Sequence, residues 1–424
     1  MKESKGFKET EIGLIPEDWE VVRLGEVAEI TMGQSPPGDT YNTYGKGIPF
    51  LQGKAEFGNI SPKHIKYTTK PLKIAKKGSV LISVRAPVGD VNIADMDYCI
   101  GRGLASLNLK NGINEFLFYS LLFFKHLIEK ESYGSVFNAI NKENLARLKI
   151  PLPPLEEQKA IADILSTVQN AIEKAEKVIN ATKQLKKSMM KHLFTYGAVV
   201  VDEIDKVKLK ESEIGLIPEH WEVVRLGEVV DLDRGISWRK FEEGNKDNGH
   251  LIISIPNIKD GYIDFNSKYN HYLIKHIPKN KQIQLNDILF VGSSGSIENV
   301  GRNVFIENLP FEGIGFASFV FRARVKVNTV IPKFLYFMAN SYWFNYKDYV
   351  RRSSDGKYNF QLTEFKSIKI PLPPLDEQQK IANILTTIDQ KIQAEEKKKV
   401  ALRSLFKTLL HQLMTGKIRV RHPS

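Results

Sequence analysis

The residue pairings that could support covalent chemistry are few. Glu157 and Lys159 in "LEEQK" have the Glu-x-Lys spacing found in many nucleases, but a later near-repeat, "LDEQQK", carries Gln379 where Lys159 stands. Both passages open a helical pattern, so the acids read as first-turn residues favoured by the helix dipole. Gly45-Lys46 in "TYNTYGKG" do not make a phosphate-binding loop, because Thr40 replaces the first glycine and Gly47 replaces the magnesium-binding Ser or Thr. The nine histidines show no metal-ligand spacing. No glycine-rich cofactor turn and no Asn/Asp-Pro-Pro-aromatic tetrapeptide occurs. A chain of this kind is expected to hold or to read, not to catalyse.

Its 424 residues suit two domains. The single cysteine, Cys99, cannot build an internal disulfide or a cysteine-based zinc site. No run of about 18 apolar residues could cross a bilayer, and "MKESKGFKET" has no apolar signal core, so a cytoplasmic protein is expected. A formal charge of +12 is the electrostatic background of a partner for phosphate, or simply of a lysine-rich solvated surface.

The elements that would position any site are written twice. "KETEIGLIPEDWEVVRLGEV" at 8–27 returns at 210–229 with changes only at Thr10/Ser212 and Asp18/His220. "KIPLPPLEEQKAIADIL" at 149–165 returns at 369–385 as "KIPLPPLDEQQKIANIL". The offset grows from 202 to 220, so the second interior is 18 residues longer. Near-identical ends around diverged interiors imply one job done twice by the ends and two different jobs done by the interiors. Each interior holds short strand-like runs broken by Gly, Pro, Asn and Asp, then a helical pattern and a polar loop. Trp19 and Trp221 read as core anchors, and Tyr119 with Leu121–Phe124 as core.

Past the prolines of "IPLPPL", each copy runs about 40 residues without Pro or Gly to Gly197 or Gly416, roughly 60 Å of helix. Ile161, Leu165, Val168, Ile172, Ala175 and Ile179 form a narrow stripe that continues through Leu185, Met189 and Leu193. Its counterpart is Ile381, Leu385, Ile388, Ile392, Val400, Leu405, Leu409 and Leu413. Such stripes call for a helical partner, and the two helices lying antiparallel about a pseudo-two-fold axis would satisfy both. The expected fold class is α+β: two β-rich globular domains separated by two long antiparallel helices forming a coiled coil. The expected boundaries are a first domain 1–154, a helix 155–197, a connector 198–212, a second domain 213–374, a helix 375–416 and a tail 417–424.

Two diverged interiors on a basic chain are candidates for reading two different DNA half-sites, since Arg and Lys reach guanine or phosphate, Asn and Gln reach adenine, and hydroxyls reach either. In the first interior the candidates are Gln34, Ser35, Tyr41, Lys46, Arg85, Arg102, Tyr133, Ser135 and Asn138. In the second they are Arg234, Ser237, Trp238, Arg239, Lys240, Ser293, Ser294, Arg351, Arg352, Lys357, Tyr358 and Asn359. Each could equally be an ordinary solvated or turn-forming side chain. A scaffold that joins two protein partners without DNA, or a nuclease or methyltransferase too diverged for its motifs to show, remains an alternative.

"IGLIPEDWEVVRLGEV", the paired "IPLPPLEEQ" and "IPLPPLDEQ", and the helix ends "LFTYG" and "LMTGKI" resemble the specificity subunit of type I restriction-modification systems, over the whole chain and twice. The resemblance implies two target recognition domains reading an asymmetric bipartite double-stranded DNA site, with the helices setting the unread gap. It also implies docking of methyltransferase (modification) subunits, two of them, with restriction subunits joining through the complex. S-adenosylmethionine, ATP and magnesium would belong to those partner chains, and no cofactor to this one. The positions it carries over are scaffold residues: Pro151, Pro153, Pro154, Glu157 and Gln158, then Pro371, Pro373, Pro374, Glu377 and Gln378. Residues 417–420 are expected to lie near the N-terminal passage.

Overall fold

A computed structural model of the chain describes residues 6–132 and 139–420. The chain divides into two units, residues 1–178 with 395–424, and residues 179–394. Each unit therefore holds one recognition domain together with part of both long helices.

In the first unit a four-stranded antiparallel sheet runs in the order Val91–Ile93, Val80–Ser83, Leu104–Leu109, Ala28–Met32. The near-continuous apolar run Val80-Leu81-Ile82 is buried on both faces, as such runs require. Val80, Ile82 and Leu107 pack against the helix Asn114–Phe123, whereas Leu81 packs against Leu51, Tyr98 and Ile100 of a second sheet. That sheet orders Tyr41–Asn42, Lys66–Thr68, Ile48–Leu51, Tyr98–Ile100, Ile74–Ala75 and contains one parallel pair, Phe50 opposite Cys99. Tyr119 and Leu121 are buried in the core.

The second unit repeats this plan with almost none of the same side chains. Its four-stranded sheet orders Asn303–Phe305, Ile288–Val291, Val320–Val325, Val230–Arg234, and its second sheet again has one parallel pair, Ile252 opposite Gly315. Ile288 and Phe290 face the helix Pro332–Ala339; Leu289 and Val291 face Leu251, Ile253 and Phe316. An added three-stranded ribbon joins Ser293–Ser294, Tyr358–Phe360 and Val350–Arg352.

The repeated passages frame each domain. Glu20–Arg23 pairs antiparallel with Lys149–Leu152, and Glu222–Arg225 pairs with Lys369–Leu372, in the same register. The long helices run Leu155–Tyr196, 42 residues, and Leu375–Met414, 40 residues. Within the first unit Glu176 meets Lys399 at 3.6 Å while Glu157 meets Arg419 at 2.8 Å, so the two helices run antiparallel there. Within the second, Lys186 meets Asp389 at 2.6 Å and Glu377 accepts from the Ala198 amide, the same sense.

The seam differs from the sequence expectation at three places. Leu185, Val400 and Leu405 are exposed, by 52%, 66% and 46%, whereas the expected Met189 and Leu409 do pack, joined by Met190, Phe406 and Leu410. A helix of 3.6 residues per turn drifts against a strict 3.5-residue repeat, so over two dozen residues the apolar stripe moves off the original column.

Candidate nucleic-acid interface

The frame of each domain is set by its paired Glu and Gln. Trp19 and Trp221 are fully buried, and each donates its indole N–H to the helix-opening glutamate: Trp19 to Glu157 at 2.9 Å, Trp221 to Glu377 at 3.0 Å. Gln158 donates to the Pro153 carbonyl and accepts from the Ile113 amide; Gln378 donates to the Pro373 and Thr329 carbonyls and accepts from the Ile331 amide. The "PPLxEQ" motif thus staples strand, long helix and buried helix inside each unit. Glu157, Gln158 and Gln378 are buried and face the interior, so they are more than first-turn residues tuned to a dipole. Pro153 and Pro373 are buried, whereas Pro154 and Pro374 are exposed.

The chain end completes the first frame. Arg419 donates to Glu157 at 2.8 Å and to both oxygens of Asp18 at 2.9 and 2.7 Å, placing residues 417–420 against the N-terminal passage. The Arg419 hydrogen bond holds the Asp18 carboxyl below the usual carboxylate range, and the two carboxylates push the guanidinium above its own. In the second frame His220, the counterpart of Asp18, meets Glu377 at 2.8 Å.

From each frame a strand leads to a tight junction of loops. In the first unit Gly33 bonds to Leu104 and Gln34 to Ile100, both at 2.9 Å, with no room for a Cβ on Gly33 beside the Gly101 carbonyl. Ser35 Oγ then accepts from the Arg102 amide at 3.3 Å and from Gln52 Nε2 at 3.1 Å. Gly103 bonds to both Gln52 and Val84, which brings Arg85 to the same junction. Gln34, Ser35, Arg85 and Arg102 are therefore gathered, with the side chains of Gln34, Gln52, Arg85 and Arg102 exposed.

Tyr41 has another role. It stacks on Phe50 with ring centroids 4.8 Å apart and donates its hydroxyl to Pro36, fixing the loop. Lys46 is exposed in a turn closed by Asn42, beside the 80%-exposed Tyr44. Tyr133, Ser135 and Asn138 lie outside the described residues.

The second unit builds the same junction. Gly235 bonds to Val320 and Ile236 to Phe316, again with no room for a Cβ on the glycine, and Ser237 follows. Lys281 donates to the Arg234 carbonyl at 2.8 Å, and Arg234 donates to the Phe360 carbonyl at 2.7 Å. Arg239 and Lys240 are exposed, but Trp238 is half-buried, donating to Glu243 and packing on His271. Ser293 is buried and Ser294 half-buried in the ribbon, opposite Asn359 and Tyr358. Arg351, Arg352 and Lys357 are exposed on the ribbon, with Tyr358 and Asn359 half-buried between them.

Gln52, Tyr44, Phe319, Lys275 and Lys281 lie beside the candidate residues and were not singled out by the sequence. Phe319, 48% exposed, has Lys357 5.9 Å from its ring, and Lys275 reaches the Ser237 carbonyl. One signal did exist: Gly33-x-Ser35 and Gly235-x-Ser237 keep the 202-residue offset of the opening passage, so the shared register extends to the junction itself.

Among the described residues no cluster of three or more His, Cys, Asp or Glu could hold a metal ion, and no helix is long and apolar enough to cross a membrane. Each unit offers a β scaffold with exposed basic side chains on joined loops, accompanied in the first unit by Gln34 and Gln52, which suits reading a polar polymer.

The model of the type I restriction modification DNA specificity domain matches twice, at residues 16–183 and 218–404. The chain is 30% identical over 433 residues to the type I restriction enzyme MjaVIII specificity subunit of Methanocaldococcus jannaschii, covering 99% of this chain and 97% of that one. It is 54% identical over 197 residues to a protein of the same organism provisionally assigned as the MjaX specificity subunit, a match spanning 46% of each. The crystal structure of a type I system S subunit from M. genitalium superposes with a TM-score of 0.64 at 19% identity, covering 93% of this chain and 96% of that one, and shares the fold. This chain belongs to the type I restriction-modification DNA specificity family. Its role is sequence specificity for DNA, and it is a non-catalytic subunit.

Proposed function

We propose that the chain reads an asymmetric bipartite duplex site, one half at each loop junction, while the two long helices set the length of the unread gap. The observation that carries this is the contrast between the two units: the same framing strands and the same four-stranded sheet order present Gln34, Ser35, Gln52, Arg85 and Arg102 in one copy, and Ser237, Arg239, Lys240 and the 350–360 ribbon in the other. One scaffold with two different polar faces gives two unlike recognition sequences. Methyltransferase subunits, two per chain, dock on the framing passages and bring S-adenosylmethionine; restriction subunits join through that complex and bring ATP and magnesium. A cytoplasmic location accords with these partners. Leu14 and Leu216, each 57% exposed at the same place in the two near-identical passages, support two equal docking points.

Selection from random duplex DNA, by the chain with its methyltransferase partner at two salt concentrations, tests the reading. Two short unlike motifs at one fixed separation are expected, with affinity falling log-linearly as salt rises. No enrichment, with salt-insensitive background, would instead favour a scaffold that joins proteins only.

A further inference from the structure

The cations of the second recognition domain are not equivalent. Arg351 donates to Glu364 at 2.9 Å and to the Asp348 carbonyl at 2.7 Å. Lys357 pairs with Asp355 at 3.2 Å, and Arg234 is held by the Phe360 carbonyl. Arg322 and Arg324 are tied to Asp233 and Asp287 beneath the sheet. Arg352 differs from all of these, and among the described residues it differs from the exposed Arg239 and Lys240 in having an aromatic ring beside its guanidinium. It is exposed, its guanidinium lies 5.8 Å from the ring centroid of Tyr358, its cross-strand neighbour, and among the described residues it has no carboxylate or carbonyl partner.

The element that carries it is rigid. Ser353 and Lys357 close the hairpin tip through an amide-to-carbonyl bond of 2.8 Å, Gly356 takes the left-handed φ of +83° that the turn needs, and Ser353 Oγ bonds to Asp355 and accepts from Asn359. Ser353, the Lys357 amide and the Lys357 ammonium hold the Asp355 carboxyl down to about 2. The two outer strands, Val350–Arg352 and Tyr358–Phe360, form an antiparallel hairpin of the kind the major groove admits, edged by Ser293–Ser294 on the side away from Arg352, and a guanidinium presents the two-pronged donor that matches guanine O6 and N7. An aromatic platform under that guanidinium orients it before contact, so less side-chain freedom is lost on binding.

We propose that Arg352 is the guanine-reading residue of the second half-site, with Tyr358 as its positioning residue and the 350–360 ribbon lying in the major groove. The assignment rests on the DNA-reading function proposed above.

The test repeats the duplex selection with the assembled complex carrying wild-type chain, Arg352→Ala, Arg352→Lys and Tyr358→Leu. With Arg352→Ala, preference for one guanine in one half-site should fall by about 10-fold or more, with the other half-site and the gap unchanged. Arg352→Lys should not restore it, because an ammonium lacks the planar fork. Tyr358→Leu, which removes the ring beside the guanidinium, should weaken that same preference less. Uniform weakening at every base with a shallower salt dependence would make Arg352 a phosphate contact and overturn the assignment, as would an unchanged motif in the Arg352→Ala complex. Failure of the wild-type complex to enrich any bipartite motif would overturn the underlying function and this assignment together.

Discussion

Glu157 is 5% exposed, and its charge is tolerable there because Trp19 and Arg419 both donate to it. Glu377 in the second copy has the same Trp donor, but Val200 stands where Arg419 would be, three residues past the helix-ending glycine. There His220 faces the carboxylate directly. One of the two differences in the otherwise shared passage is thus a local charge solution: an acid at position 18 where the chain end brings an arginine, an imidazole at position 220 where it does not. Arg419→Met should leave Glu157 without its cation and lower the stability of the first unit by about 1–3 kcal/mol, read by thermal unfolding. It should also let the Asp18 carboxyl rise toward its ordinary value near 3.9, read by NMR titration. Asp18 is depressed in the folded state, so its share of this stability is present above its unfolded pKa and is lost as pH falls through the depressed value. The gap between wild type and variant should therefore narrow in acid.

Gly33 and Gly235 are where one element passes closest to another. A Cβ on either would meet a backbone carbonyl, Gly101 in the first unit or Phe316 in the second, and backbone cannot yield as a side-chain tip can. Gly235→Ala should therefore cost about 1–3 kcal/mol in the second unit and blur its half-site, while leaving the first half-site sharp; selection with each single variant, alongside thermal melts, checks this. At this scale much was legible in the sequence. Apolar runs such as Val80–Ile82 and Ile288–Val291 are central strands, and the proline-bounded stretches are the long helices. What could not be read was which side of a strand or turn faces water. Ser293 is buried because the ribbon pairs it with Asn359, Trp238 turns inward to Glu243, and Gln52 reaches the junction only through a parallel strand pair closed across many residues. These placements follow from long-range pairing, whose register no local pattern specifies.

For the molecule as a whole, duplication explains which surfaces stayed alike. The framing strands keep the same register, both indoles bind the same glutamate position, and Leu14 and Leu216 remain equally exposed on hairpins that pair Glu9 with Leu14 and Glu211 with Leu216. Fold stability explains the buried positions, because each core needs its tryptophan. It does not require the leucine that each copy keeps exposed at the same place. The proposed pair of equal contacts for two copies of one methyltransferase would give both leucines the same use. Leu14→Asp and Leu216→Asp should each fold normally, being exposed, and each should remove one methyltransferase from the assembled complex, with the double variant removing both. Native mass spectrometry of the purified complexes would count the subunits directly. Full occupancy in the double variant would place the docking contacts elsewhere on the framing passages or on the helices, where Leu155 and Leu375 are the next matched exposed pair.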